Sequence, residues 1–297
     1  MKIDTDLEQF LFTGERKFKI AKTPTNIDKL YKDKDDYRDK MDEFREEIDD
    51  LQQIMYAHDR YAMLLVFQAM DAAGKDGTIR HVMSGVNPHG VDVHAFKRPS
   101  GLELDHNYMW RSDVRMPRRG TIAIFNRSYY EEVLVCRVHP EIVSGSQRVP
   151  AEFTADFDRM WQQRYADIRG MEAYNHHNGT RILKFFLHLS KDEQARRFID
   201  RIERQEKNWK FEEGDLAERK HWDEYQTAYQ DAINATATPE SPWFVIPADD
   251  KHNMRLIVAQ IILRHLNELK MSYPELDADA KGRLAGYHEQ LKNELKA

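Results

Sequence analysis

The sequence predicts an α/β fold in which a central parallel sheet of five strands lies between layers of helices. Three observations carry that prediction. Short unbroken apolar runs recur through the middle of the chain, which suits strands buried on both faces. Segments with helical spacing separate those runs, and strand–helix alternation is the pattern of a parallel sheet. A glycine-containing turn joins the first run to the helix that follows it.

Residues 1–35 are polar and aperiodic and read as an N-terminal arm. From Tyr37, the apolar residues Tyr37, Met41, Phe44, Ile48, Leu51 and Met55 fall four and three apart, on one face of an amphipathic helix. Ala62–Gln68 (AMLLVFQ) is the first strand, and a helix follows over Lys75–Gly85. Val91–Phe96 is the second strand, Leu102–Val114 reads as helix, and Thr121–Phe125 is the third strand. Ser128–Val138 and Phe153–His177 read as helices before the fourth strand, Arg181–Leu189. Ser190 opens the next helix with a capping box, in which Glu193 reaches back. A further helix runs from about Asp215 toward Asn234, and Trp243–Ile246 is the fifth strand, stopped by Pro247. Residues 253–270 form a long amphipathic helix. The main domain is therefore 36–272, followed by a charged tail, 273–297, that packs loosely.

Composition narrows the function. The chain of 297 residues is ample for a packed core, and 41% apolar with 11% aromatic residues argues against disorder. Against 51 Asp and Glu stand 45 Lys and Arg, a net charge of −6, which excludes a uniformly basic nucleic-acid binder. The lone cysteine, Cys136, excludes an internal disulfide framework and a cysteine-rich zinc site. No apolar run reaches the ~20 residues of a membrane span, and the start, MKIDTDLEQF, has no apolar signal core. The expectation is a cytoplasmic protein with neither nucleic acid nor membrane as a partner.

The most informative stretch is Gln68–Thr78, QAMDAAGKDGT, between a strand and a helix. A phosphate loop needs this context: backbone amides and a helix N-terminus face phosphate oxygens while one lysine reaches over them. The expected cradle is Ala72, Ala73, Gly74, Lys75, Asp76, Gly77 and Thr78, with Arg80 further along the helix. Ala69 replaces the usual first glycine, and Asp76 replaces the usual hydroxyl residue. Asp71 and Asp76 beside bound phosphate are unfavourable unless a divalent cation lies between, and magnesium suits such a site. Asn126-Arg127-Ser128 ends the third strand, where phosphate-loop enzymes hold magnesium or its waters. Asn126 offers a neutral oxygen, Glu131 and Glu132 could add charge, and the Arg127 fork suits phosphate. A plain capped helix start explains the same residues.

Basic residues gather in two stretches. Arg111, Arg115, Arg118, Arg119, Arg127 and Arg137 form the first. Arg181, Lys184, Lys191, Arg196, Arg197, Arg201, Arg204, Lys207 and Lys210 form the second, with Arg197, Arg201 and Arg204 on one helical face. An acidic chain that concentrates cations near a phosphate loop points to a polyanionic ligand, while solvated charge with internal ion pairs is the alternative. Asn208–Asp215 (NWKFEEGD) joins two charged helices, so residues 191–235 read as a lid that closes over phosphates and excludes water.

From about Leu51 to Leu266 the chain resembles the family-2 polyphosphate kinases. The likeness rests on LLVFQAMDAAGKDGTIRHVMSGVNPHGV, GTIAIFNRSYYEEVLVCRV, ILKFFLHLSKDEQARRF, NWKFEEGDLAERKHWDEY and PWFVIPADDK, in that order and spacing. Asn126, where many relatives carry Asp, resembles the subgroup acting on both nucleoside mono- and diphosphates. The resemblance implies a P-loop kinase-like three-layer αβα sandwich with a helical lid. It implies magnesium-dependent, reversible phosphoryl transfer between inorganic polyphosphate and AMP, ADP or ATP, with GMP and GDP as further nucleotides and manganese as a substitute ion. It also implies a homo-oligomer, dimer or tetramer. By motif, Asp71, Lys75 and Arg127 fall on catalytic positions, and Asp71, Asn126 and Glu132 near the metal. Asn87, Pro88 and Gly90 fall on a loop near the acceptor nucleotide, and Arg197 and Arg201 on lid positions facing phosphate; Arg111, Arg127 and Glu131 are further expected nucleotide contacts, and Arg118, Arg137, Lys191 and Lys207 further expected polyphosphate contacts. The competing reading is an ATP-dependent nucleoside monophosphate kinase of the same fold.

Overall fold

The computed structural model describes residues 3–296. Each expected strand forms, within a residue or so at its ends: β2 (Ala62–Gln68), β3 (Val91–Ala95), β4 (Ile122–Asn126), β5 (Thr180–His188) and β6 (Trp243–Pro247). These five run parallel, in the order β6-β5-β2-β4-β3. The sixth strand corrects the expected count of five. Leu11–Phe12 (β1) pairs antiparallel with the edge of β6.

Residues 1–35 are accordingly no loose arm where they are described, because Ile3, Leu7, Phe10, Phe12 and Phe18 are all buried. These side chains lack helical or strand spacing because they sit in single turns, a two-residue strand and irregular chain, and they cover the β6 edge.

Alternation along the strands divides the core into two layers. Met63, Leu65 and Phe67 of β2 face α1 (Lys34–His58), and Leu64 and Val66 face the opposite layer. Asp33 caps α1 by accepting from the Asp35 and Asp36 amides. The α1 face of Tyr37, Met41, Phe44, Ile48 and Met55 is buried, as its spacing requires. Beside it lie α2 (Lys75–Val82) and a later helix, Lys251–Glu268, buried on most sides between α1 and the sheet.

The other layer holds α3 (Phe157–His177) and the turns over Tyr129–Val138. The helix expected over Ser128–Val138 is a 3-10 segment, Tyr129–Val133, and a single turn, Val135–Val138. Leu102–Val114 likewise reduces to two turns, Gly101–Leu104 and Trp110–Asp113.

The expected lid divides. Ser190 caps α4 (Lys191–Glu203) through Glu193, but the Glu193 carboxylate turns to Arg197 rather than back to Ser190. No residue from 199 to 221 is buried, a stretch that includes α5 (Glu213–Lys220). By contrast α6 (Trp222–Thr236) belongs to the core through Tyr225, Ala228, Tyr229, Ala232 and Ile233. With α7 as Lys251–Glu268, the tail forms α8 (Ala278–Glu294), which buries none of its residues.

Candidate active site

The parallel register brings the C-terminal ends of β2 and β4 side by side, with Phe67 opposite Asn126. Crevices beyond such strand ends are where open α/β sheets bind ligands. After β2 the chain turns sharply. Ala72 and Gly74 take left-handed φ values of 62° and 106° before α2 begins at Lys75. Arg127, after β4, has φ 61°, and its amide donates to the Phe67 carbonyl. Left-handed backbone at a non-glycine residue costs on the order of 1–3 kcal/mol, and such strain clusters at functional sites.

Two buried side chains hold the loop in this shape. Arg197 is 5% exposed; its guanidinium donates to the carbonyls of Ala73 at 2.7 Å, Ala72 at 3.2 Å and Ala248 at 2.6 Å, and its Nε to Glu193 at 2.9 Å. Gln194 donates to the Asp71 carbonyl at 2.9 Å and accepts from Arg219 of α5 at 2.7 Å. Arg197 is thus a clamp beneath the loop and not a lid cation facing phosphate.

Around the loop, charges alternate. Arg127 donates to Asp71 Oδ1 at 2.8 Å and lies 3.9 Å from Glu131. The Asn126 amide donates to Asp76 at 2.5 Å. Lys75 Nζ donates to the Ala69 carbonyl at 2.8 Å; burial, with repulsion from Arg127, lowers its pKa to about 8. The Glu131 carboxylate holds the Arg127 guanidinium above its ordinary pKa, and burial raises that of Glu131 itself. From α5, Asp215 pairs with Arg201 at 3.6 Å, and burial and then the Asp71 charge raise its pKa. Tyr229 of α6 feels burial and then Glu131, both of which raise its pKa.

So Asp71, Gly74, Lys75, Asp76, Asn126, Arg127 and Glu131 converge, and Arg201 reaches the same cleft through Asp215. Asp215, Tyr229 and Gln194 were not among the expected site residues. NWKFEEGD ends on Asp215, which was the available signal.

Other expected residues lie elsewhere. Glu132 points into the core, 4% exposed, where it contacts Arg164, Gln147 and Cys136, so it is withdrawn from the metal set. Thr78 is buried and its hydroxyl donates to the Gly74 carbonyl, while Gly77 faces Arg255 of α7. Arg80 is exposed further along α2.

Asn87, Pro88 and Gly90 precede β3 and rest on α1: the Asn87 amide donates to Asp49, and a Cβ on Gly90 would sit 1.7 Å from Gln52 Nε2. Ala95, not Val91, is level with Asn126, so this loop lies about 13 Å away along the strand, at the N-terminal end of the parallel strands. Arg118 is at that end too, 3.6 Å from Asp92.

Arg111 is buried and donates to the Lys97 carbonyl. Arg137 is engaged by Asp231 and the Tyr165 hydroxyl, each at 2.6 Å, and Lys207 by Asp200 at 2.6 Å. Lys191 is exposed above the Trp222 ring. Lys184, counted in the second basic stretch, is fully buried.

The family model described as polyphosphate kinase 2 (PPK2) matches residues 31–274. The chain is 50% identical over 293 residues to an ADP-polyphosphate phosphotransferase of Rhodopseudomonas palustris, spanning 98% of this chain and 99% of that protein. It is 46% identical over 228 residues to an AMP/ADP-polyphosphate phosphotransferase of Meiothermus ruber, spanning 77% and 80%. The crystal structure of polyphosphate kinase 2 from Arthrobacter aurescens superimposes with a TM-score of 0.85 at 33% identity, over 97% of this chain and 99% of that one.

Proposed function

The chain belongs to the polyphosphate kinase 2 family, and from that premise we propose which residues carry its reaction and which acceptors it takes. The reaction is phosphoryl transfer between polyphosphate and nucleotides of the AMP, ADP and GDP type. Both AMP and ADP are acceptors in this reading, which the relative named for both supports. The observation that carries the site assignment is the 2.8 Å pair between Arg127 and Asp71 at adjoining strand ends, with Lys75 at the helix start beside them.

In the forward direction, an oxygen of the acceptor's terminal phosphate attacks the end phosphorus of the chain. The bond to the next bridging oxygen breaks, and polyphosphate leaves one unit shorter. Such transfer asks the protein for alignment and charge neutralisation rather than covalent chemistry. Lys75 and Arg127 neutralise the transferred group. Asp71, released from Arg127 as phosphate arrives, orients the attacking oxygen. Arg201, carried by α4, meets the chain from the lid side.

Carboxylates of Asp71, Asp76, Glu131 and Asp215 among these cations would repel a polyanion, which is the argument for a divalent ion. The donor set suits magnesium, or manganese in its place: carboxylates of Asp71 and Asp76 and the Asn126 amide oxygen, all hard oxygen ligands. Among the described residues no three His, Cys, Asp or Glu side chains form a metal cluster, so phosphate oxygens and water would complete the shell. Bound there, the ion would offset negative charge on neighbouring phosphates. An ATP-dependent kinase would place a hydroxyl after the loop lysine for magnesium; Asp76 stands there, held by Asn126.

A second reading, ADP as the acceptor and AMP not, draws on the relative named for ADP. Parallel incubations of AMP and of ADP with long-chain polyphosphate and magnesium, with no ATP added, separate the two. ADP followed by ATP is expected. Turnover of ADP but not AMP would leave the second reading, and turnover of neither would overturn both.

A further inference from the structure

Lys184 lies in the middle of β5 with 0% of its side chain exposed, and its ammonium donates to Glu172 Oε2 of α3 at 2.7 Å. Burying an ion pair in place of apolar side chains is neutral or costly for stability, so its presence in the core of a parallel sheet calls for another reason. The partners supply one. Glu172 Oε1 accepts from the hydroxyls of Tyr129 and Tyr130, each at 2.9 Å, and Oε2 also accepts from Ser241 at 2.9 Å. Lys184 donates a second bond to the Thr236 carbonyl at 2.8 Å, and the Tyr130 hydroxyl is 2.9 Å from Thr236 Oγ1.

These contacts join two walls of the cleft. Tyr129 and Tyr130 belong to the 3-10 segment that begins just after Arg127 and contains Glu131. Thr236 ends α6, and two turns earlier that helix places Tyr229 beside Glu131 and Arg127. Arg127 stands on a left-handed backbone, which does not hold its own position by local preference.

We propose that Glu172 and Lys184 are positioning residues: their buried pair fixes the segment bearing Arg127 and Glu131 against α6, and so sets the alignment of the transferred phosphoryl group. The inference rests on the assignment of Arg127 above. Neither residue touches the cleft; Glu172 acts through the two tyrosine hydroxyls, and Lys184 through Glu172 and the Thr236 carbonyl.

The test compares two neutral replacements in the full-length protein. Glu172→Leu with Lys184→Met removes the charges and the acceptor together. Glu172→Gln with Lys184→Met removes the charges but keeps an oxygen for both tyrosines. Misplacement by a fraction of an ångström costs about tenfold in rate, so the first variant is expected to melt cooperatively with kcat down about tenfold and KM for polyphosphate within about twofold. The second is expected to recover kcat to within about threefold of wild type. Wild-type kcat in the Leu/Met variant, or equal slowness in both, overturns the inference.

Should the Leu/Met variant not fold, Tyr129→Phe decides, since it removes one donor and leaves the pair intact. A fall in kcat of about threefold at constant KM is expected, and an unchanged kcat overturns the proposal. Arg127→Lys is measured alongside. If it turns over at the wild-type rate, the site assignment has failed; if it is slow while the Leu/Met variant is not, positioning alone has failed.

Discussion

Arg127–Asp71 and Lys184–Glu172 are salt bridges of nearly equal length, 2.8 and 2.7 Å, in opposite surroundings. The side chains of the first pair are 41% and 29% exposed, and those of the second 0% and 1%. An exposed pair contributes little to stability, because water and ions compete for both partners. That weakness is what a substrate site requires: an arriving phosphate can take Arg127 while Asp71 turns to another partner. The buried pair has no competing partner, since its carboxylate and ammonium are already engaged by Tyr129, Tyr130, Ser241 and Thr236. One pair is built to exchange and the other to stay.

The comparison breaks most easily at the buried end. Lys184→Met alone leaves the Glu172 charge in the core without its counter-ion, which costs about 3–5 kcal/mol. Urea denaturation should show that loss, while Asp71→Asn at the exposed pair should move the unfolding free energy by less than about 1 kcal/mol. Equal losses at the two pairs would remove the distinction between them.

Next in size is the effect at the loop. Lys75→Ala removes a donor to the transferred group, and loss of one such stabilising donor costs about 100-fold in kcat. The same variant should unfold at nearly the wild-type denaturant concentration, because among the described residues the ammonium makes a single hydrogen bond, to the Ala69 carbonyl. Steady-state rates and denaturation curves on one preparation provide both numbers. Retention of more than a tenth of wild-type kcat would remove Lys75 from the mechanism.

The division between the two regions also separates what could be read from the sequence from what could not. The five parallel strands and the long helices followed from apolar spacing because packing against a sheet imposes that spacing. The exposed pair was legible too: Asp71 and Arg127 lie just beyond the ends of two predicted strands, and a parallel sheet must bring those ends together. Lys184 was counted among the cations that point to a polyanionic ligand because charge outweighed context; in RILKFFLHL it is flanked by apolar residues that alternate between both core layers. Its partner carried a signal as well, for Glu172 continues the buried seam of Trp161, Tyr165 and Ile168 on α3 at helical spacing.

Arg197 shows a different gap, since a shared helical face says nothing about whether it points to solvent or to backbone carbonyls. Asn87, Pro88 and Gly90 were misplaced by family likeness alone, although a loop that precedes a strand lies at the wrong end of a parallel sheet for a phosphate at the C-terminal ends. β1 was missed because two residues are too few to show a period.

The smallest effect sharpens the exposed side of the comparison through pH. Lys75 in the ligand-free protein has its pKa lowered to about 8, by burial first and Arg127 second. A lowered lysine pKa means the ammonium is complete below that value and is lost as pH rises through it. The rate constant kcat/KM reports groups of the free enzyme, so it should bend downward near pH 8 and fall by up to tenfold per pH unit above the bend. Bound polyphosphate adds negative charge beside the amine and favours its protonated form. The limb in kcat, which reports the complex, should therefore lie at higher pH than the limb in kcat/KM. The buried pair predicts no matching limb, because no substrate reaches it to change its surroundings. Coincident limbs in the two profiles would mean that polyphosphate does not approach Lys75, and the exposed pair would then lose its claim to be the one that exchanges.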